Sequence, residues 1–113
     1  VQKGLSFVQK NKLPEALIMF EAVIKNDPEN DEAKKYAGIV SLRLKNYDKA
    51  LEYFSILAND TELRSNYGKF YKAVTLLERN APGDEASARL LLQQVRDENL
   101  EGKNKAEEWL QKF

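Results

Sequence analysis

Histidine and cysteine are both missing from this chain. Their absence removes the commonest general base, the commonest metal ligand, every thiolate nucleophile and every disulfide. Catalysis would have to rest on carboxylate, lysine, tyrosine or serine chemistry. An excess of charge of one sign is missing too: 18 Lys and Arg balance 18 Asp and Glu. A neutral chain gives no electrostatic case for nucleic acid or for an anionic membrane surface, which show as a basic excess or patch. No apolar run approaches the roughly 18 residues of a membrane-spanning helix, so direct insertion of this segment in a bilayer is not expected. A glycine-rich phosphate loop is absent, because "APGDEA" at 81–86 has the wrong spacing. The row opens on Val1 with no leader-like segment, and reads as a piece of a longer protein.

What is there is a repeat. "LPEALIMFEAVI" at 13–24 returns as "YDKALEYFSILA" at 47–58, thirty-four residues later. At that offset Gly4 falls on Gly38, Ala16 on Ala50, Leu17 on Leu51, Phe20 on Phe54 and Val23 on Leu57. Within each copy the apolar positions recur at i, i+1, i+4, i+7 and i+8, which is one helix face. Before the second copy, 31–45 is rich in helix formers and free of proline. The joint "NYD" follows, with Asp48 expected to cap the next helix. Pro14 sits just inside its helix, where the missing N–H costs least. Each unit therefore reads as a helix–turn–helix, with Gly4 facing Ala16 and Gly38 facing Ala50 to let the helices approach. Paired helices at this period form a solenoid, because each pair covers its core only by stacking on the next.

A third copy fits with Phe70, Ala73, Val74, Leu77, Ala86 and Leu90 if its joint is two residues longer. Val74 then replaces the glycine, and Gln93 stands where Val23 and Leu57 stood. Last, "NKAEEWLQKF" at 104–113 reads as a solitary amphipathic helix, with Ala106, Trp109, Leu110 and Phe113 on one face. It would cap the end of the last pair, or serve another chain as an interface helix.

On the series Gly4, Ala16, Phe20, Val23, Pro28 and its second copy Ala37, Gly38, Tyr47, Ala50, Phe54, Leu57, the chain resembles the tetratricopeptide repeat family. The resemblance covers residues 1 to about 95. It implies an all-α fold, a right-handed α-solenoid of about three helix–turn–helix repeats plus a C-terminal capping helix. Residues 1–113 would form one such domain, with repeats at about 1–29, 30–62 and 63–98 and the cap at about 103–113. It also implies a concave groove lined by the first helix of each pair. Carried over by register, the groove takes Leu5, Val8 and Gln9, then Lys35, Ile39, Leu42 and Arg43, then Tyr71, Thr75, Glu78 and Arg79. A peptide would lay apolar side chains on this stripe and bring a carboxylate to Arg43 or Arg79. Ile39 and Thr75 stand where the carboxylate-clamp members of the family have asparagines, so that clamp is not expected. The plainer alternative packs Ile39 and Leu42 on a neighbouring helix and pairs Arg43 with Asp48 or Glu52 at the surface, for about 0–1 kcal/mol.

Two acidic stretches invite a metal. "DPENDE" at 27–32 fails the calcium-loop pattern, which needs glycine where Glu32 stands. "DENLEGKNKAEE" at 97–108 comes closer, with Gly102 and Glu108 at the required places. Glu101 is too long, however, Asn104 replaces the usual aliphatic residue, and no sister loop is visible. Gly102 is expected to turn the joint before the last helix, and no metal or other cofactor is expected. Glu15, Asp48, Glu52, Glu78, Asp84 and Glu85 fall at helix starts or on solvated faces, which is poor ground for an enzyme. The leading expectation is a scaffold or adaptor that holds a protein or peptide partner. The alternative is self-assembly as a homo-oligomer, or packing within a larger envelope protein. The lysine- and asparagine-rich composition points to a bacterial source. Arrays that this chain resembles often belong to envelope proteins, and that resemblance implies the periplasm or a membrane in preference to the cytoplasm.

Overall fold

The structure is a computed structural model that describes residues 1–60, 63 and 66–113. Its described residues form helices and turns with no strand. In chain order the helices are α1 Gln2–Gln9, α2 Leu13–Asn26, α3 Asp31–Arg43, α4 Tyr47–Ala58, α5 Gly68–Arg79, α6 Asp84–Asp97 and α7 Lys103–Leu110. They fall into two compact units, Val1–Tyr53 and Phe54–Phe113, with the boundary inside α4. The expected repeat boundary at 62/63 touches Glu62, which lies outside the described residues.

In the first unit α2 packs on both α1 and α3. Its core is Ala16, Phe20, Ala37 and Val40, with Leu5, Val8, Leu17, Tyr36 and Tyr53 packed around it. Gly4 is needed because a Cβ there would come within 2.5 Å of the Phe20 ring. The atoms nearest to where that Cβ would stand are those of the Phe20 ring. Tyr36 stacks on this core, its ring 5.4 Å from that of Phe20. Pro14 occupies the first turn of α2, as its missing N–H requires. The α3–α4 joint puts Lys45 in the left-handed region at φ 63°. Asn46 then donates its N–H to Ser41 O over 2.8 Å. This six-to-one closure satisfies carbonyls that the helix end leaves open. The same turn ends α1, with Asn11 at φ 57° and Lys12 N–H on Phe7 O. The cap of α4 is Asn46, whose Oδ1 accepts from Lys49 N–H at 3.3 Å. Asp48 lies two residues further on, inside the first turn, and does not fill that role.

The second unit repeats the aromatic stack: the Tyr71 ring lies 5.2 Å from that of Phe54. Phe54, Leu57, Phe70, Ala73, Leu76, Ala88, Leu92, Val95 and Ala106 are buried. Asn66 ties the α4 end to the α5 start. Its Nδ2 donates to Leu57 O and Asp60 O, and its Oδ1 accepts from Gly68 N–H at 2.8 Å.

The register of the third pair departs from the expected one. Ala88, Leu92 and Val95 are fully buried, whereas Leu90 is 56% exposed and Ala86 is exposed. Ala88 and Leu92 thus take the places of Ala50 and Phe54 at an offset of thirty-eight. Gln93 is not the counterpart of Val23 and Leu57; Val95 is. In α5 the counterpart of Gly38 is buried Ala73, not Val74, because Tyr36 stacked on Phe20 and Tyr71 stacked on Phe54 set the offset at thirty-five. The start of α6 explains the slip. Asp84 is bound there by Arg79 and by the Ala81 N–H, so Ala86 falls on the outer side of the first turn.

Candidate partner-binding faces

In the first unit α3 has two unlike faces. Ala33, Ala37, Gly38, Val40 and Ser41 are buried. Lys35, Ile39 and Leu42, at i, i+4 and i+7, are half-buried, and Arg43 is exposed. The split follows from helical periodicity, since positions three and four apart share a side. Lys35 places its ammonium 4.9 Å from the Tyr36 ring centre, a cation–π contact. Arg43 carries no ion pair among the described residues, so the surface pairing with Asp48 or Glu52 does not form. On α1, Leu5 and Val8 are packed against the core cluster, and Gln9 is exposed.

The expected residues of the second unit are placed differently. Tyr71 is stacked on Phe54 and touches Tyr67 and Phe70 as well. Thr75 is fully buried, and its hydroxyl donates to Tyr71 O at 2.8 Å. Arg79 donates to both carboxylate oxygens of Asp84, at 2.8 and 2.7 Å. Asp84 also accepts the Ala81 N–H at 2.9 Å. The Arg79 hydrogen bond holds the Asp84 carboxyl down at about 2, below the usual carboxylate range. Asp84 is therefore not on a solvated face. It is 5% exposed and closes the α5–α6 turn. The one-residue correction in α5 puts Val74, Leu77 and Glu78 where Ile39, Leu42 and Arg43 stand in α3. These three share a notch with Trp109, Lys112 and Phe113 of the C-terminal segment. Sequence reading had Glu78 in the groove and Trp109 and Phe113 on the apolar face of the last helix, and missed Val74, Leu77 and Lys112 as residues of one notch. Its signal was the Phe–Tyr pairing, which sets the register of α5 independently of the joint.

The 97–108 stretch is a helix joint. Asp97 accepts from Arg96 Nε at 2.8 Å, and that bond lowers its pKa. Asn99 is left-handed at φ 53° and Gly102 at φ 93°. Leu100 N–H closes on Val95 O at 2.9 Å, the same turn that ends α1 and α3. Among the described residues no group of three or more acidic side chains is placed to hold a metal ion, and no helix is long and apolar enough to cross a membrane.

Paired helices, small residues under phenylalanines and the recurring left-handed turn agree with the repeat pattern. A family model described as tetratricopeptide repeat matches residues 1–67. The chain belongs to the tetratricopeptide repeat family. Tetratricopeptide repeats are non-catalytic scaffolds that generally mediate protein–protein interaction, and the domains they build typically bind protein partners. Among curated proteins and among solved structures nothing matches this chain.

Proposed function

We propose that this tetratricopeptide repeat chain is a scaffold or adaptor without enzymatic activity, and that it takes a protein or peptide partner on the outer face of α3. On this reading α1–α2, α3–α4 and α5–α6 are the repeat pairs and α7 is the cap. The carrying observation is the stripe Lys35, Ile39, Leu42 and Arg43 on a helix whose other side is buried. Its two aliphatic side chains offer apolar area worth about 25 cal/mol per Å2 when covered. Arg43 offers a planar fork for a carboxylate. Leu5, Val8 and Gln9 of α1 belong to the same unit and extend the site. Tyr71, Thr75 and Arg79 contribute through packing and through Asp84, not by direct contact.

The test is a crosslinking pull-down with the intact chain beside a Leu42→Glu/Arg43→Glu variant shown to be folded by circular dichroism. A protein captured by the first and lost by the second supports the α3 face. Equal capture by both removes it. A second reading, self-association, draws on the apolar hollow of Val1, Gly4, Met19, Ala22 and Val23, about 400 Å3 in volume. Light scattering across concentration tests it: a dimer that survives nanomolar dilution supports it, and a monomer throughout sinks it.

A further inference from the structure

The second unit carries a notch of about 310 Å3 between α5 and the end of α7. That lies at the small end of the range for ligand sites, about 300–1,000 Å3. One wall is Val74, Leu77 and Glu78; the other is Trp109, Lys112 and Phe113. The walls are held from behind. Trp109 lies against Phe70 with ring centres 5.4 Å apart, and Arg89 sits 4.9 Å from the centre of the Phe113 ring. Glu78 and Lys112 both line the notch and are exposed, and neither carries an ion pair among the described residues. The notch is therefore an apolar slot with one unpaired charge of each sign.

We propose that this notch docks a partner peptide in which apolar side chains lie between a basic and an acidic residue. The apolar side chains displace water from Val74, Leu77, Trp109 and Phe113. The basic residue meets Glu78 and the acidic residue meets Lys112. A guest with two like charges satisfies one wall and is repelled by the other, and an uncharged guest leaves both charges partly desolvated and unpaired. The site belongs to the second unit and goes beyond the α3 reading.

The chain reports on this notch by itself, because Trp109 is its single tryptophan. The experiment titrates the full chain with four capped tetrapeptides, Lys-Leu-Leu-Glu, Ser-Leu-Leu-Ser, Glu-Leu-Leu-Glu and Lys-Leu-Leu-Lys, and follows Trp109 emission. The mixed-charge peptide should act at the lowest concentration, with each mismatched charge weakening binding by about two- to fivefold. Glu78 and Lys112 are exposed, so their variants keep the fold, as circular dichroism can verify. Lys112→Glu should then prefer Lys-Leu-Leu-Lys, and Glu78→Lys should prefer Glu-Leu-Leu-Glu. The Leu42→Glu/Arg43→Glu variant should bind the mixed-charge peptide as the unaltered chain does. The proposal is overturned if no peptide changes the emission up to millimolar concentration, or if all four act alike. It is also overturned if the Leu42→Glu/Arg43→Glu variant loses the response, which would move the peptide to the α3 face. Emission that changes with chain concentration alone would assign the notch to a second copy and equally overturn it.

Discussion

Arg79 grips Asp84 through two parallel hydrogen bonds of 2.8 and 2.7 Å, across the turn that joins α5 to α6. The pair sets where α6 begins, and with it which residues of α6 face the core. It also gives the fold an acid-sensitive point. The folded carboxyl titrates at about 2, against about 3.9 in an unfolded chain. A depressed folded value means that the contribution is complete above the unfolded value and is lost as pH falls from about 4 towards 2. We expect Asp84→Asn to lower the urea midpoint at pH 7. The gap from the unaltered chain should close steadily below pH 4. A gap that stays constant down to pH 2 would mean that the charge of Asp84 contributes nothing.

Gly102 lies in the left-handed region at φ 93°, and a Cβ there would come within 2.7 Å of the Phe70 ring. Gly102→Ala combines a disfavoured backbone with a steric overlap, and should cost about 2 kcal/mol or more. Because Trp109 leans on Phe70, loosening should appear as a red shift of tryptophan emission before global unfolding. Unchanged emission and an unchanged midpoint would contradict the packing of this joint.

Lys45 holds a left-handed conformation at φ 63° in a turn where its counterpart in the α1–α2 joint is Asn11. Asparagine and glycine tolerate that region better than lysine does. Lys45→Gly should therefore stabilise the chain by about 0.5–1 kcal/mol, seen as a higher thermal midpoint. Asn11→Gly, which starts from a tolerant residue, should change it less.

Ser41 is fully buried in α3 and its Oγ has no hydrogen-bond partner among the described residues. Burying an unpaired hydroxyl costs roughly 1–3 kcal/mol, and alanine is the better helix former. Ser41→Ala should raise the urea midpoint with an unchanged slope, by an amount equivalent to about 1 kcal/mol. A fall in the midpoint would show that the hydroxyl is satisfied in solution.

The first two helix pairs are legible in the sequence because Ala16, Phe20, Ala50 and Phe54 recur at one offset and each has a single plausible face. The third pair is not. Leu90, Leu91 and Leu92 stand together, so three registers offer a leucine to the core, and periodicity alone does not choose between them. Leu92 is buried because Asp84 and Arg79 set the start of α6. A separate shift of one residue, in α5, bears on the expected site. Thr75 and Tyr71 entered as groove residues; Thr75 is buried and Tyr71 is stacked on Phe54, while Val74 and Leu77 line the notch with Trp109.

The sequence by itself determined the helical pairs, the period, the small residues beneath the phenylalanines and the lack of chemistry that histidine or cysteine would bring. These follow from local periodicity and composition, which any single stretch of chain carries in full. Tertiary structure decided which leucine of three is buried, which arginine is tied up by a carboxylate, and that Glu78 and Lys112 share one notch. Those outcomes depend on contacts between residues distant along the chain, set by packing against a neighbouring helix, and no local pattern specifies them.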